Sequence, residues 1–272
     1  MKKIYILINH FQTQDGVART AVGLANELAK RGHQVTLLEQ EDHLGGKLIF
    51  SRQVAFKKVL ENFMDYQIHM LDKLGVDVRL STKATPEMVE AMEPDAVIAA
   101  VGANAVIPPI PGVDGANVIT AEEAYRKVKA GENIGQKIAV LGGGDVGCET
   151  AVYLAQEAGK TVSLVEMTDT LAAASCAIPR TAITKEIETC VDAHTGSRCT
   201  GITKDGITYV DAEGEHSIQA DTVVLSAGMV PQKAQAEAFR MIAGEFFPIG
   251  DCVKANNVRT AVRTGYDSAI QL

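Results

Sequence analysis

"VLGGGDVGCETAVYLA", Val140 to Ala155, is the stretch whose reading decides the fold. The apolar run "QKIAVL" leads into it, Gly142, Gly144 and Gly147 follow in GxGxxG spacing, and a helix is predicted from Asp145 to Gly159. Each glycine has a physical task. The first permits a tight turn, the second lets backbone approach a pyrophosphate, and the third lets the helix pack on the sheet. The first helical turn, with Asp145 and Val146 in it, offers free N–H groups and the positive end of the helix dipole to phosphates. The strand "TVSLVE" comes next and ends on Glu166. A carboxylate there accepts hydrogen bonds from ribose hydroxyls and repels a 2'-phosphate, which favours NADH over NADPH. Glycine clusters also mark ordinary turns, but here strand, helix and terminal acid agree on a dinucleotide fingerprint.

The same plan is visible at the start of the chain. Lys3 to Ile8 is a short β-rich run, Ala18 to Arg31 carries apolar residues at helical spacing, Gly32 stops that helix, and "HQVTLLEQ" is a second strand ending on Glu39. Beyond it, Phe56 to Leu74 reads as helix, "VDVRL" as strand, "TPEMVEAM" as a short helix and "DAVIAAVG" as a buried strand. The segment "AVIPPIPGVDG", Ala105 to Gly115, is rich in proline and glycine and marks the crossover between two structural units. After the second βαβ unit, "GITKDGITYVDAEGEHSI" reads as a β-meander, "ADTVVLSAG" as another buried strand, and "EFFPIGD" with "NVRTAVRTGYDSAIQL" as a last strand and helix.

Composition narrows the class. With 272 residues, 46% hydrophobic and 22% charged, the chain has material for two packed domains and is too apolar to be disordered. A net charge of −8 argues against a broad nucleic-acid surface. Cys148, Cys176, Cys190, Cys199 and Cys252 contain no CxxC pair and no zinc or iron–sulfur spacing, so no metal, dithiol centre or disulfide scaffold is expected. The opening "MKKIYILINH" is too short in its apolar run for a signal peptide, and no run reaches membrane-spanning length; the expectation is a cytoplasmic protein with no membrane partner.

From about Glu39 onward the chain resembles the flavin-linked pyridine nucleotide oxidoreductase half of the old yellow enzyme-like reductases. That group includes dienoyl-CoA reductase, trimethylamine dehydrogenase and the clostridial enoate and bile-acid reductases. The matching segments are "EQEDHLGGKL", "AAVGANAVIPPIPGVDG", "VLGGGDVGCETA", "VVLSAGMVP", "FFPIGDC" and "NVRTAVRTGYDSA", which follow in the family's order and together span more than four fifths of the chain. The resemblance implies an α/β protein of two Rossmann-like dinucleotide-binding domains, the second inserted in the first, with a β-meander. Residues 1–104 and 228–272 would form a discontinuous FAD-type domain, and 105–227 the NAD(P)-binding domain. It further implies that Glu39 binds the adenosine ribose of FAD, that Gly45 and Gly46 approach the flavin and pyrophosphate, and that Gly102 marks the crossover near the cofactor. Gly250 and Asp251 would meet the ribityl and phosphate part, Val258 would lie near the flavin ring, and Gly228 would join the NAD site. By its residue type, Asp251 also suits a turn or helix cap, and Cys252 a small packed position.

Two departures from that family qualify the expectation. Full-length members carry a preceding TIM-barrel domain with FMN, substrate groups and an iron–sulfur cluster, whereas here Met1 falls directly before the first strand; the chain reads as an electron-input module serving a separate electron-acceptor protein. The loop expected to hold the FAD glycines reads Asn9, His10, Phe11, Gln12, Thr13 and Gln14, whose Cβ atoms would crowd a pyrophosphate. A lone loop histidine such as His10 is read as a surface residue. The first 38 residues or so also resemble the N-terminus of GT-B retaining glycosyltransferases. Three readings follow: an NADH-dependent flavin oxidoreductase module passing hydride to FAD, an NADH-binding module whose flavin site has decayed, and a sugar-nucleotide-binding, glycosyltransferase-like protein. No acid–base catalytic residue is singled out.

Overall fold

The structure, a computed structural model, describes residues 1–8, 17–46 and 59–272. The first strand, β1 (Lys3–Ile8), is followed by helix α1 (Val17–Lys30) and strand β2 (Gln34–Glu39). Next come α2 (Val59–Lys73), β3 (Asp77–Arg79), α3 (Pro86–Glu90), β4 (Ala96–Ala99) and β5 (Ala103–Ala105). The chain then builds β6 (Val118–Thr120), α4 (Ala121–Lys129), β7 (Lys137–Leu141), α5 (Asp145–Gln156) and β8 (Thr161–Val165). After α6 (Ala177–Cys190) and β9 (Asp192–His194) it forms β10 (Arg198–Thr203), β11 (Gly206–Val210), β12 (Glu215–Gln219) and β13 (Thr222–Leu225). It closes with β14 (Met229–Pro231), α7 (Lys233–Glu237), β15 (Glu245–Pro248) and α8 (Val258–Ala269).

Two compact units result: Met1–Asn104 with Met229–Leu272, and Ala105–Gly228. The first holds a five-stranded sheet in the order β15-β4-β1-β2-β3, parallel throughout. Its central strands are buried on both faces, which is why they read as unbroken apolar runs. Alternate side chains divide between two cores: Ile4, Ile6, Leu37, Ala96 and Ile98 enter one with Ala21, Ala25 and Leu28 of α1, while Leu7, Leu38, Val97 and Ala99 enter the other with Phe239. Each fully buried leucine or isoleucine contributes roughly 1.5–3 kcal/mol, so this doubly covered sheet is the main stabilising feature of the unit.

The second unit repeats the design with the sheet order β6-β13-β7-β8-β9, also parallel. One face is covered by the antiparallel meander β10-β11-β12, where Ile202, Ile207 and Tyr209 pack on Ala139, Leu141, Val165, Val223 and Leu225. The fold is therefore an α/β fold of two Rossmann-like parallel sheets with a β-meander.

Several element limits differ from the sequence expectation. Helix α5 stops at Gln156 rather than Gly159, and Glu166 lies one residue past the end of β8. Helix α2 is described from Val59, so the expected start at Phe56 lies outside the described residues, as does the loop Asn9 to Gln14 with His10. Three helices carried no reading in the sequence: α4, α6 and the five-residue α7. Helix α4 opens on a capping box in which the Thr120 side chain accepts the Glu123 N–H and the Glu123 carboxylate returns to the Thr120 N–H. Helix α6 buries only Ile183 and Ile187, too sparse an apolar stripe to show a helical period.

Candidate functional site

The glycine-rich turn of the second unit joins β7 to α5. Gly142 has φ +106°, which only glycine adopts without strain, and a Cβ on it would lie 2.3 Å from the Ser226 carbonyl oxygen. Gly147 has no room for a Cβ either, since one would sit 1.7 Å from the Gly142 carbonyl oxygen. Gly144 is the opposite case. It caps α5 in an extended conformation with no side-chain bond to the helix, and a Cβ there would meet nothing within 4 Å. The packed first and third glycines and the open second are the arrangement a pyrophosphate requires. Asp145 and Val146 follow in the first turn of α5. The Asp145 carboxylate accepts a hydrogen bond from the Ser175 hydroxyl at 2.7 Å.

Two residues of this turn escaped the sequence reading. Gly143 lies between the fingerprint positions, yet its N–H donates to Glu166 Oε2 at 2.6 Å and its own Cβ would strike Leu171 and Glu166. The triple glycine "GGG" was the available signal. Ser226, just beyond β13, supplies the carbonyl under Gly142 and donates its N–H to the Leu141 carbonyl at 2.8 Å; only the paired register of β13 and β7 puts it there. Gly228, at φ +103°, accepts the Val106 N–H on its carbonyl at 2.9 Å.

In the first unit, β2 ends on Glu39, a carboxylate with 0% exposure. Its Oε1 accepts the Glu41 N–H at 2.9 Å, and its Oε2 is buried with no hydrogen-bond partner among the described residues. Burial pushes the Glu39 carboxyl up to about 8; the Glu41 N–H works against this shift and the Glu41 charge adds to it. A buried carboxyl oxygen lacking a donor is the feature a ligand hydroxyl would satisfy. The residues of this unit thus fit the ribose of a dinucleotide.

Gly45 and Gly46 follow in left-handed conformations, φ +114° and +49°. Gly102, at φ +72°, accepts the Gln232 N–H at 3.0 Å, which fastens the segment after β4 to the returning chain. Gly250, at φ +68°, donates its N–H to the Thr264 hydroxyl at 2.9 Å, while the buried Asp251 accepts the Asn256 N–H at 3.3 Å. Val258 begins α8, whose cap is Asn257 accepting the Thr260 N–H. Cys252 is packed: its Sγ donates to the Ala99 and Ile249 carbonyls, and burial pushes the thiol up to about 11. Among the described residues no cluster suits a metal ion, and no helix is long and apolar enough to cross a membrane.

A parallel-sheet unit with a glycine-rich turn, joined to a second unit with a buried acid at the corresponding strand end, defines a protein of the two-dinucleotide class. The comparisons with known proteins agree. Residues 21–265 match the model of the family described as pyridine nucleotide-disulphide oxidoreductase, and the chain belongs to that family of NAD(P)H-dependent flavoprotein oxidoreductases, which bind FAD and NAD(P)H. It is 35% identical over 241 residues to a bilirubin reductase of Mediterraneibacter gnavus, covering 88% of this chain and 37% of the relative. It is 34% identical over 250 residues to an NADH oxidase of Thermoanaerobacter brockii, covering 90% of this chain and 38% of that protein. Among solved structures, a 2-naphthoyl-CoA reductase complex superposes with a TM-score of 0.90 at 26% identity over all of this chain and 40% of its own. The chain thus spans well under half the length of these relatives.

Proposed function

We propose that the chain is an NADH-dependent flavin oxidoreductase module in which residues 105–227 bind NADH and residues 1–104 with 228–272 bind FAD. Its subgroup would be the flavin half of the old yellow enzyme-like reductases, in keeping with the reductase relatives and the 2-naphthoyl-CoA reductase match. The observation that carries the reading is the pair of unlike strand-end acids: Glu166 beside a complete glycine turn, and Glu39 with a buried oxygen that has no partner among the described residues. When bound, FAD supplies the two-electron acceptor for a hydride from NADH. The residues of the chain bind and orient. The α5 N-terminus and Gly144 receive the pyrophosphate of NADH, Glu166 its adenosine ribose, and Glu39 the ribose of FAD.

NADH is favoured over NADPH because "EMTDTLAAASC", Glu166 to Cys176, holds two acids and no base to meet a 2'-phosphate. The electrons would leave for an acceptor outside these residues, a separate protein or a further domain, rather than for a disulfide of the FAD-type unit, since the first 147 residues contain no cysteine and Cys252 is buried among carbonyl groups. A purified full chain is expected to show flavin absorbance, or to acquire it on adding FAD, and to reduce a dye with NADH and much more slowly with NADPH. NADH binding without flavin uptake would instead support the decayed-site reading, which the residues Asn9 to Gln14 favour. Failure to bind either dinucleotide would overturn both.

A further inference from the structure

Glu166 is held on both sides before any ligand arrives. Its Oε2 accepts the Gly143 N–H at 2.6 Å, and its Oε1 accepts both the N–H and the hydroxyl of Thr168, each at 2.8 Å. The backbone around it is equally fixed. The Glu166 N–H donates to the His194 carbonyl, the Ser197 N–H to the Glu166 carbonyl, and the Gly196 N–H to the Thr168 carbonyl, all at 2.9 Å. A glutamate on an exposed loop samples several rotamers, so a carboxylate gripped at both oxygens is a fixed charge where a free one would be a mobile one.

That difference matters for a ligand that carries a phosphate in place of a hydroxyl. A mobile carboxylate can swing away from a 2'-phosphate and lose only one hydrogen bond; a fixed one meets it with its full charge. Gly143 cannot be the adjustable part of the grip, because its N–H belongs to the turn itself and its Cβ position is already filled by Leu171 and Glu166. Thr168 can. Its hydroxyl is the second of two donors on Oε1 and also lies 3.3 Å from the Thr170 carbonyl; removing it loosens Oε1 to a single backbone donor, while the Thr168 N–H bond and the backbone bonds to His194, Gly196 and Ser197 stay in place.

We propose that Thr168 is a positioning residue for nucleotide selection: its hydroxyl fixes the Glu166 carboxylate so that NADH is accepted and NADPH rejected. The inference rests on the reading of Glu166 as the ribose acid of the NADH site. Thr168→Val keeps the β-branch and the backbone N–H and removes only the hydroxyl. Thr168→Ser keeps the hydroxyl.

The test is fluorescence titration of the full chain with NADH and with NADPH, alongside a thermal melt of each variant. Thr168→Val is expected to lower the ratio of the NADPH to the NADH dissociation constant by about tenfold, the value of one hydrogen bond to a charged group, with the melt unchanged. Thr168→Ser is expected to restore the parent ratio. A ratio unchanged in Thr168→Val overturns the inference while leaving the NADH reading intact; a purely structural residue would weaken both nucleotides equally and would also overturn it. A parent chain that binds neither nucleotide overturns the NADH reading and the inference with it.

Discussion

Gly144→Ala is expected to fold as the parent does and to lose NADH affinity by at least about tenfold, whereas Gly147→Ala is expected to lose both stability and binding. The contrast follows from space. At Gly144 the backbone is extended and a methyl group meets nothing within 4 Å, so the protein without ligand has no objection to it. The gain from restricting the unfolded chain and the poorer capping by alanine are each about 0.5–1 kcal/mol and nearly cancel. The methyl would occupy the approach that a pyrophosphate at the proposed site needs. At Gly147 the added carbon would lie 1.7 Å from the Gly142 carbonyl oxygen, a backbone atom fixed by the turn, and 3.3 Å from the Ser226 hydroxyl. Thermal melts and NADH fluorescence titrations of both variants read the two effects separately. Equal loss of stability in the two variants would refute this assignment of open and closed glycines.

Glu39→Gln is expected to make the flavin-free protein more stable in alkaline buffer and nearly unchanged in acid. The sign follows from linkage. Burial raises the carboxyl of Glu39 from its ordinary value of 4.5 to about 8, so the fold favours its protonated form. The stability held by that form is complete below the unfolded value and is lost as pH rises through about 8. The loss is on the order of a few kcal/mol, because each tenfold change in proton affinity corresponds to about 1.4 kcal/mol. Glutamine keeps a neutral side chain of the same shape at every pH. Urea unfolding of both proteins at about pH 5 and about pH 9 measures the difference, and parallel stability profiles for parent and variant would sink the idea. If FAD ribose hydroxyls supply the missing donor to Oε2, the alkaline loss in the parent is expected to shrink when FAD is added, and the variant to show no such rescue.

How much of this was legible in the sequence depends on how local each feature is. The β7–turn–α5 unit was readable because a strand, three spaced glycines and a helix are consecutive in the chain, although the carbonyl that closes on Gly142 comes from the distant Ser226. The meander was readable from its alternation and its glycine turns. Helix α4 was marked by "TAEE", Thr120 to Glu123, a capping-box pattern that the sequence reading passed over. Helix α6 had no comparable signal, because only two of its residues are buried.

The sequence by itself determined two βαβ units, each with an acid at or beside the end of its second strand, and one full nucleotide fingerprint. Periodicity and spacing are properties of neighbouring residues, and so they survive in the linear chain. Only the tertiary structure decided that the two acids are in different states. Glu39 is buried with one oxygen unpartnered among the described residues, and Glu166 is gripped by Gly143, 23 residues earlier, and by Thr168, two residues later. Desolvation and hydrogen bonding depend on what the fold brings close from elsewhere, and no local pattern of residue types encodes that.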